Sequence, residues 1–376
     1  MNSDNIKIAL IGCGRVAGHH CSSISKSDGV ALAAVCDLDE ERAGSYGEEH
    51  GVPFFTNYHE MLKEHPEIDI VSIITPSGMH GEHAAEVIDG YGKHVIVEKP
   101  TFMRPELADS IFDLAVANGV EIFPVFQNRY NKAVQRVRKA LADDELGEVR
   151  IVSVRLRWCR PQQYYDLAPW RGTFSHDGGA LTNQCIHHVD LIRYLGGDVA
   201  RVNAAMRTLG AEIEVEDTAI ATIEFGSGGV GVLECTTAAR PDDFEASLSI
   251  VGSKGLAQIG GIAVNELQIF TPAPDDCAPN SEDFVGIKGH GAVYGFGHSD
   301  MYRDIVKHFA GESPYPVSRE DCIGTLRLLH AFYRSDEAGE WVDVASTDQS
   351  ERLGRADENI SDLYRTSGPA GGTQAR

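Results

Sequence analysis

Residues 6–18, I-K-I-A-L-I-G-C-G-R-V-A-G, decide how the first half of this chain folds. The stretch predicts a short apolar strand, a turn with the spacing Gly12-x-Gly14-x-x-Ala17, and the start of a helix. Gly12 allows a sharp turn, Gly14 lets a ligand approach the backbone, and Ala17 lets the helix lie close to the strand. The unpaired N–H groups at the start of that helix favour a diphosphate.

An acid follows the second predicted strand, at 30–36, and supports the same interpretation. Asp37 lies 23 residues after Gly14, near the spacing of about 20 at which a carboxylate holds an adenosine ribose. The alternative is a glycine turn in an unrelated α/β domain, with Asp37 as a helix cap. Asp37 favours NAD over NADP because its charge would repel a 2′-phosphate. Arg42 leaves the use of both cofactors open.

Charge and composition exclude several partners. The formal net charge of −23 argues against nucleic acid and anionic membranes, which both attract positive proteins. No apolar run approaches the roughly 20 residues of a spanning helix, and the first residues lack the pattern of a signal peptide. The eight cysteines are scattered without a C-x-x-C pair, so neither a zinc site nor disulfides are indicated. We expect a cytoplasmic protein without a metal.

The order of elements predicts an α/β protein with two units. Residues 1–126 alternate near-continuous apolar strands with helices, which is typical of a doubly wound parallel sheet in a dinucleotide-binding Rossmann domain. Residues 127–345 predict a substrate-binding and oligomerisation domain with a large, mostly antiparallel open sheet. Residues 346–376 form a polar tail, in which the helical spacing of 350–365 predicts a docked helix and the last ten residues are expected to be disordered. Helices at 299–310 and 319–336 are expected to close the second unit.

Two strand ends of the first unit carry candidate residues. Thr75-Pro76 and Glu98-Lys99 each follow an apolar strand, and ligands of open parallel sheets lie beyond such ends. We therefore expect Lys99 at the redox end of the dinucleotide, where it could bind a substrate oxygen or transfer a proton if its pKa is lowered. The alternative is a solvent-facing lysine.

A second segment, 178–190, adds a histidine. A predicted helix over 183–195 would place Asn183 and His187 on one face, where they could bind and deprotonate one hydroxyl. Asp190, one turn later, could orient the ring of His187. The alternative is a buried, hydrogen-bonded structural histidine.

A third segment, 155–172, places four arginines among aromatic residues in an acidic chain. Arg155 and Arg157 project from one face of a predicted strand, and arginine binds carboxylate or phosphate bidentately. The segment predicts a pocket for an anionic, nucleotide-linked substrate. A salt-bridged sheet face and a subunit interface remain the alternatives.

Five motifs, in order and spacing, resemble those of the Gfo/Idh/MocA oxidoreductases: I-G-C-G-R-V-A-G, A-V-C-D, T-P-S-G-M-H-G-E-H-A, H-V-I-V-E-K-P and G-G-A-L-T-N-Q-C-I-H-H-V-D. The resemblance implies a nicotinamide cofactor, oxidation of a cyclic polyol or sugar hydroxyl, Lys99 and His187 as the catalytic pair, and a homodimer or homotetramer. Many members carry aspartate where this chain has Asn183, which cannot take a proton. We therefore expect His187 as the base, Lys99 polarising the reacting oxygen and Asn183 orienting the sugar.

Within that family, G-A-L-T-N-Q and R-W-C-R-P-Q-Q-Y-Y-D-L-A-P-W-R-G resemble the UDP-N-acetylglucosaminuronate 3-dehydrogenases. This implies a nucleotide-sugar substrate oxidised at C3 for surface-polysaccharide (lipopolysaccharide) biosynthesis. Tyr130 and, more weakly, Tyr294 resemble substrate-side residues. The expected cofactor-binding residues are Gly12, Gly14, Arg15, Val16, Asp37, Thr75, Pro76, His80, Glu98 and Lys99. The expected substrate-binding residues are Lys99, Asn128, Arg129, Arg157, Arg160, Tyr164, Tyr165, Trp170, Arg171, Asn183, His187 and His298.

Three other functions stay open at this point. One is another sugar or inositol dehydrogenase of the same family. The second is a glycoside-processing enzyme that uses bound NAD catalytically, without net NADH. The third is a non-enzymatic sensor, against which the presence of both Lys99 and His187 speaks.

Overall fold

The computed structural model describes residues 5–284 and 295–366. Its first sheet has six strands in the spatial order β3-β2-β1-β4-β5-β6, and every neighbouring pair is parallel. The strands are β1 Ile6–Ile11, β2 Val30–Cys36, β3 Phe54–Phe55, β4 Ile70–Ile73, β5 His94–Val97 and β6 Ile122–Pro124. Its helices are α1 Ala17–Ser25, α2 Glu40–His50, α3 Tyr58–Glu64, α4 His80–Tyr91 and α5 Pro105–Asn118.

The predicted doubly wound sheet is confirmed, and β1 shows why it forms. Ile8 and Leu10 are buried in the hydrophobic cluster on one face of the sheet, whereas Ala9 and Ile11 are buried in the cluster on the other. A continuous apolar run is therefore required rather than an alternating one. The strand order reverses between β1 and β4, which opens a crevice at their carboxyl ends.

The second sheet has eight strands in the order β13-β12-β11-β7-β10-β9-β8-β14. Only β7 and β10 pair in parallel, so the predicted mostly antiparallel sheet is confirmed. The strands are β7 Val149–Arg157, β8 Val199–Arg207, β9 Thr218–Phe225, β10 Val230–Thr236, β11 Glu245–Gly252, β12 Leu256–Gly260, β13 Glu266–Phe270 and β14 Val342–Asp343. The remaining helices are α6 Lys132–Ala142, α7 Gln162–Tyr165, α8 Gly179–Asn183, α9 Ile186–Gly196, α10 Gly297–Phe309, α11 Arg319–Ala338 and α12 Glu358–Ser361.

We expected helix α10 to close the second unit. It packs on the first sheet instead. Its buried Met301, Tyr302 and Ile305 belong to the same hydrophobic cluster as Ile8 and Leu10. Helical spacing predicts that one face is buried, but it does not say against which sheet. The predicted boundary after residue 126 falls between the two sheets, yet the chain crosses back over it here.

Two predicted helices are wrong in extent. The helix expected over 183–195 is split, because α8 ends at Asn183 and α9 begins at Ile186. Within 350–365 only Glu358–Ser361 is helical, with Asp357 as its N-cap. The segment is docked nonetheless, since Leu353 is fully buried. The predicted disorder of 367–376 lies outside the described residues.

No helix within 5–284 and 295–366 is both long and apolar enough to cross a bilayer. All eight cysteines are free thiols. Most of them are buried, including Cys13, Cys36 and Cys185, where they pack as small apolar side chains.

Candidate active site

A cleft of about 590 Å³ lies beyond the carboxyl ends of the first sheet and is closed on its far side by the second unit. The volume is within the range of about 300–1,000 Å³ that cofactor sites span. The structure brings all ten expected cofactor-binding residues to its wall: Gly12, Gly14, Arg15, Val16, Asp37, Thr75, Pro76, His80, Glu98 and Lys99.

The glycine turn at the floor of this cleft fits a dinucleotide. Gly12 has φ +101°, and a Cβ there would stand 2.7 Å from the carbonyl oxygen of Ile74. A Cβ on Gly14 would meet nothing within 4 Å, so the backbone faces open space. Because α1 begins at Ala17, its first N–H groups lie at this turn, where a diphosphate would bind.

Asp37 is fixed at the end of β2. Its Oδ2 accepts the backbone N–H of Cys13 at 2.7 Å, and its Oδ1 accepts that of Asp39 at 2.9 Å. Arg42 is held by ion pairs to both Asp37, at 3.3 Å, and Asp39, at 3.2 Å. Since two carboxylates already neutralise Arg42, the arrangement fits an adenosine ribose with free hydroxyls, as in NAD.

Lys99 reaches across the cleft to the second unit. Its Nζ donates to the backbone oxygen of Asn183 at 3.0 Å and to Oδ1 of that residue at 3.3 Å. Burial lowers the pKa of Lys99, the carboxylates of Glu98 and Asp177 oppose this, and Arg171 adds to the lowering. A lysine in these surroundings can exchange a proton more readily than one in water.

His187 lies next to Lys99 but does not line the cleft. It is buried, and neither ring nitrogen has a hydrogen-bond partner in the described part of the chain. Burial lowers the pKa of His187 well below its usual value, and the nearby charge of Lys99 lowers it further. The ring is therefore neutral at physiological pH.

The expectation that Asp190 orients the ring of His187 is wrong. Asp190 instead accepts two hydrogen bonds from Arg129, at 2.7 and 2.6 Å, and one from the hydroxyl of Thr325 at 3.2 Å. Spacing along a helix placed Asp190 near His187, but the buried guanidinium of Arg129 is the stronger partner for a buried carboxylate.

Asp177 is a site residue that sequence reasoning missed. Its Oδ1 accepts the side-chain N–H of Asn183, and its Oδ2 accepts the backbone N–H of Gly172 at 2.7 Å. Burial raises the pKa of Asp177, and its hydrogen bonds and the charges of Arg171 and Lys99 oppose the rise. Nothing in the spacing of Asp177 connects it to Lys99, because the two meet only through the contact between the units.

Arg15 and Arg171 form a positively charged wall of the cleft around Tyr164. Arg171 Nη1 donates to the hydroxyl of Tyr164 at 2.6 Å, and its guanidinium stands 4.5 Å from the ring centre of Trp170. The guanidinium of Arg15 lies 5.5 Å from the ring of Tyr164. The Nε–H of Arg171 is buried without a partner in the described ranges. Among the ion pairs that the described residues form, none includes Arg15 or Arg171.

Two family models match this chain. Residues 6–126 match the oxidoreductase family with an NAD-binding Rossmann fold, and residues 134–258 match the GFO/IDH/MocA C-terminal domain. The structure of the WlbA dehydrogenase from Bordetella pertussis, in complex with NADH and UDP-GlcNAcA, is 34% identical, with a TM-score of 0.83 over 91% of this chain and 99% of that one. The chain belongs to the Gfo/Idh/MocA oxidoreductase family.

The sequence relatives of this oxidoreductase act on varied sugars and polyols. The D-glucoside 3-dehydrogenase of Escherichia coli (strain K12) is 26% identical over 92% of this chain and 99% of its own length. The myo-inositol 2-dehydrogenase of Thermotoga maritima is 25% identical over 88% of this chain and 96% of its own. The predicted family and the NAD cofactor are thus confirmed, and the chain is an NAD-dependent sugar or polyol oxidoreductase.

Behind Lys99 the oxidoreductase carries a buried cluster of His20, Glu98 and His298. One ring nitrogen of each histidine and one carboxylate oxygen of Glu98 lie within 4.8 Å of one another. Glu98 Oε1 accepts from His20 Nε2 at 3.2 Å and from His298 Nε2 at 3.1 Å, and its Oε2 accepts the backbone N–H of Lys99 at 2.9 Å. Burial raises the pKa of Glu98, but the hydrogen bonds from His20 and His298 outweigh this effect and hold the pKa well below its usual value. His20, which sequence reasoning missed, thus helps to fix the backbone of Lys99.

Two expected substrate arginines do not line the cleft of the oxidoreductase, although the guanidinium of Arg160 lies 5.5 Å from the ring centre of Tyr164, which does. Arg157 lies on the face of β7 that points away from the apolar core, where it pairs with Glu234 at 2.6 Å and Glu245 at 3.2 Å. Arg160 pairs with Asp243 at 2.7 Å. For Arg157 the structure matches the alternative of a salt-bridged sheet face, because alternation along β7 keeps one face for the apolar core.

Other expected substrate residues are also turned into the protein. Arg129 is buried against Asp190, Asn128 is buried beside it, and the hydroxyl of Tyr165 bonds that of Thr237 at 3.0 Å. His298 lies in the Glu98 cluster. Tyr294 falls outside the described residues. Lys99, Tyr164, Trp170, Arg171 and Asn183 are the expected substrate residues that do line the cleft.

Proposed function

We propose that this oxidoreductase oxidises C3 of a UDP-linked N-acetylated glucuronate and gives a 3-keto sugar nucleotide for surface-polysaccharide biosynthesis. The main support for this substrate is the wall formed by Arg15 and Arg171, which have no ion-pair partner among the described residues. Such a substrate brings a carboxylate and a diphosphate, the groups that free guanidinium ions bind. The similarity to a dehydrogenase solved with UDP-GlcNAcA supports the same substrate.

In the proposed reaction the substrate hydroxyl becomes a carbonyl. A dinucleotide held by the glycine turn and Asp37 would supply the hydride acceptor for C3. Lys99 lines the cleft and His187 does not, so we propose that Lys99, as the neutral amine, takes the hydroxyl proton and becomes the ammonium ion. This reverses the roles that the sequence suggested. Burial favours the neutral amine beforehand.

Three further side chains would help to position Lys99 and the substrate hydroxyl: Asn183, Asp177 and His187. Asp177 holds the side chain of Asn183, whose oxygen in turn accepts from Lys99 Nζ. A substrate hydroxyl that replaced Asn183 as the partner of Lys99 would lie beside the buried ring of His187, whose nitrogens have no partner among the described residues. We propose that His187, whose pKa is lowered by burial and by the charge of Lys99, packs behind this point and helps to position Lys99, without itself taking the proton.

A neutral sugar or inositol is the second candidate, which the D-glucoside and myo-inositol dehydrogenase relatives favour. The test is a panel of UDP-N-acetylglucosaminuronate, UDP-N-acetylglucosamine, UDP-glucuronate, glucosides and myo-inositol with NAD⁺, followed by NADH absorbance and thermal shift. We expect removal of the carboxylate or of the UDP group to lower kcat/KM at least tenfold. Faster oxidation of a free sugar or inositol would overturn the proposal. Release of free sugar without net NADH would overturn it in favour of a glycoside-processing enzyme that uses bound NAD catalytically. Binding without turnover would overturn it in favour of a non-enzymatic sensor.

We also propose a homodimer or homotetramer in the cytoplasm. The open face of the second sheet exposes Ile151, Ile220, Val230 and Val232, and exposed apolar side chains grouped on one sheet face are typical of an interface. Free thiols throughout the chain fit a reducing compartment. Light scattering on the purified chain tests the assembly, and a monomer mass at micromolar concentration would contradict it.

A further inference from the structure

Residues 350–366 follow the second unit and return to the first. Neither matched family range, 6–126 or 134–258, includes them. Leu353 is fully buried, and its backbone oxygen accepts from Arg104 Nη1, at the start of α5, at 3.1 Å. A Cβ on Gly178 would stand 2.8 Å from the side chain of Leu353. The segment therefore begins from an anchor that contacts both units.

The far end of the segment is fastened to α4 by one guanidinium. Arg365 donates from Nε to Glu82 Oε1 at 2.7 Å and from Nη2 to Glu82 Oε2 at 2.8 Å. Its Nη1 donates to Glu358 at 2.7 Å and to Asp362 at 2.6 Å. Bidentate geometry within a charged network makes this pair stronger than an isolated surface ion pair.

The end of the segment forms part of the cleft. Leu363, Tyr364 and Thr366 line the same space as the glycine turn and Asp37. Burial raises the pKa of Tyr364, and the charges of Arg171 and Arg42 oppose the rise. Tyr364 thus lines the cleft together with Arg171 of the substrate wall and with Asp37 and Arg42 of the adenosine side.

We propose that residues 357–366 are a dinucleotide-binding strap, in which Tyr364 contacts NAD(H) across from the glycine turn and the Arg365–Glu82 pair holds the strap closed. Leu363 is 54% exposed and faces a cleft that a dinucleotide would fill. Covering that surface adds affinity for the cofactor. The strap acts on the cofactor, so it does not depend on which sugar is oxidised.

The test is the dissociation constant of NADH, measured by fluorescence titration of the full chain without sugar. We expect Tyr364→Ala and Arg365→Glu each to weaken NADH binding about threefold to tenfold. The charge exchange Glu82→Arg with Arg365→Glu should recover part of this loss, because it rebuilds the pair with α4 at unchanged net charge but leaves the new carboxylate beside Glu358 and Asp362. Arg355→Glu is the matched control, since Arg355 lies on the same segment and pairs with exposed Glu214 at 3.2 Å.

Three outcomes would overturn the strap. One is NADH binding within twofold of the parent in both Tyr364→Ala and Arg365→Glu. Another is an equal loss of NADH affinity in Arg355→Glu, which would show that the change in net charge alone weakens binding. The third is no recovery in the charge-exchanged pair. Because no sugar is present, none of these results bears on the proposed substrate, and a failed substrate panel would leave the strap intact.

Discussion

The two sides of the cleft hold their ligands by different means. On the cofactor side, the glycine turn after β1 and Asp37 after β2 stand at the ends of parallel strands whose register is fixed by backbone hydrogen bonds. On the substrate side, Tyr164 lies in the short helix α7 and Arg171 in the loop before α8, and the two are placed by contact with each other. Substitutions on the cofactor side therefore alter a backbone scaffold, whereas those on the substrate side alter separable side-chain contacts.

The largest effect is expected at Lys99, where the two sides meet. Lys99→Met removes the proposed proton acceptor, so kcat should fall about 10²-fold to 10⁴-fold, the usual contribution of general acid–base catalysis. NADH binding should stay within about threefold, since the glycine turn and Asp37 are untouched. Lys93→Met, which removes a lysine that bonds the backbone of Pro66 at 2.7 Å, is the control in the same assay. Retention of a tenth of the parent kcat in Lys99→Met would contradict the assignment.

A smaller effect is expected when the arginine that faces the cleft is compared with one on the open sheet face. Arg171→Met should raise the KM for the nucleotide sugar about 10-fold to 100-fold, because a hydrogen bond to a charged group is worth about 1.5–3 kcal/mol. Arg157→Met, which removes the pair with Glu234, should leave that KM within about twofold. Steady-state kinetics at saturating NAD⁺ measures both, and equal effects would contradict the placement of the two side chains.

A shift in pH dependence is expected at Asp177. Its carboxylate raises the pKa of Lys99 against the lowering effect of burial. Asp177→Asn removes that charge, so the pKa of Lys99 should fall further and more of the neutral amine should exist at a given pH. The acidic limb of kcat/KM against pH should then move to lower pH. A limb that stays in place or moves to higher pH would refute the proposed link, provided that melting confirms a folded variant.

The smallest effect on activity is expected at Glu216, which supports α8 from behind. Its Oε1 accepts from Leu181 N–H at 3.0 Å and from the Tyr333 hydroxyl at 2.8 Å, and burial raises the pKa of Glu216 from 4.5 to about 8. Because the unfolded chain ionises first, the free energy of unfolding should fall between these two pH values, by at most about 1.4 kcal/mol per unit. Glu216→Gln should remove that slope in urea unfolding at pH 5 and pH 8, and an unchanged slope would contradict the buried acid.

The sequence predicted the cofactor side more completely than the substrate side, for a physical reason. Gly14, Asp37 and Lys99 follow strands of a parallel sheet, and such ends gather at one edge whatever the rest of the chain does. Arg157 and Arg171 belong to one arginine-rich segment, but which of them faces the ligand depends on register with strands many residues away. Local spacing carries no information about that register.

The same limit explains the residues that were missed or misplaced. Asp177 is linked to Lys99 only through the side chain of Asn183, across the contact between the two units, and the partner of Asp190 is Arg129, 61 residues earlier. The strap at 357–366 had helical spacing, which predicted that it docks but not that it docks on the cleft. Long-range packing decided each of these.

The most direct test of the account follows the hydrogen at C3. The oxidoreductase is incubated with NAD⁺ and UDP-N-acetylglucosaminuronate deuterated at C3, and both products are weighed by mass spectrometry. We expect NADH heavier by one mass unit and a 3-keto sugar nucleotide that has lost the label. Unlabelled NADH, or no NADH at all from this substrate, would contradict it.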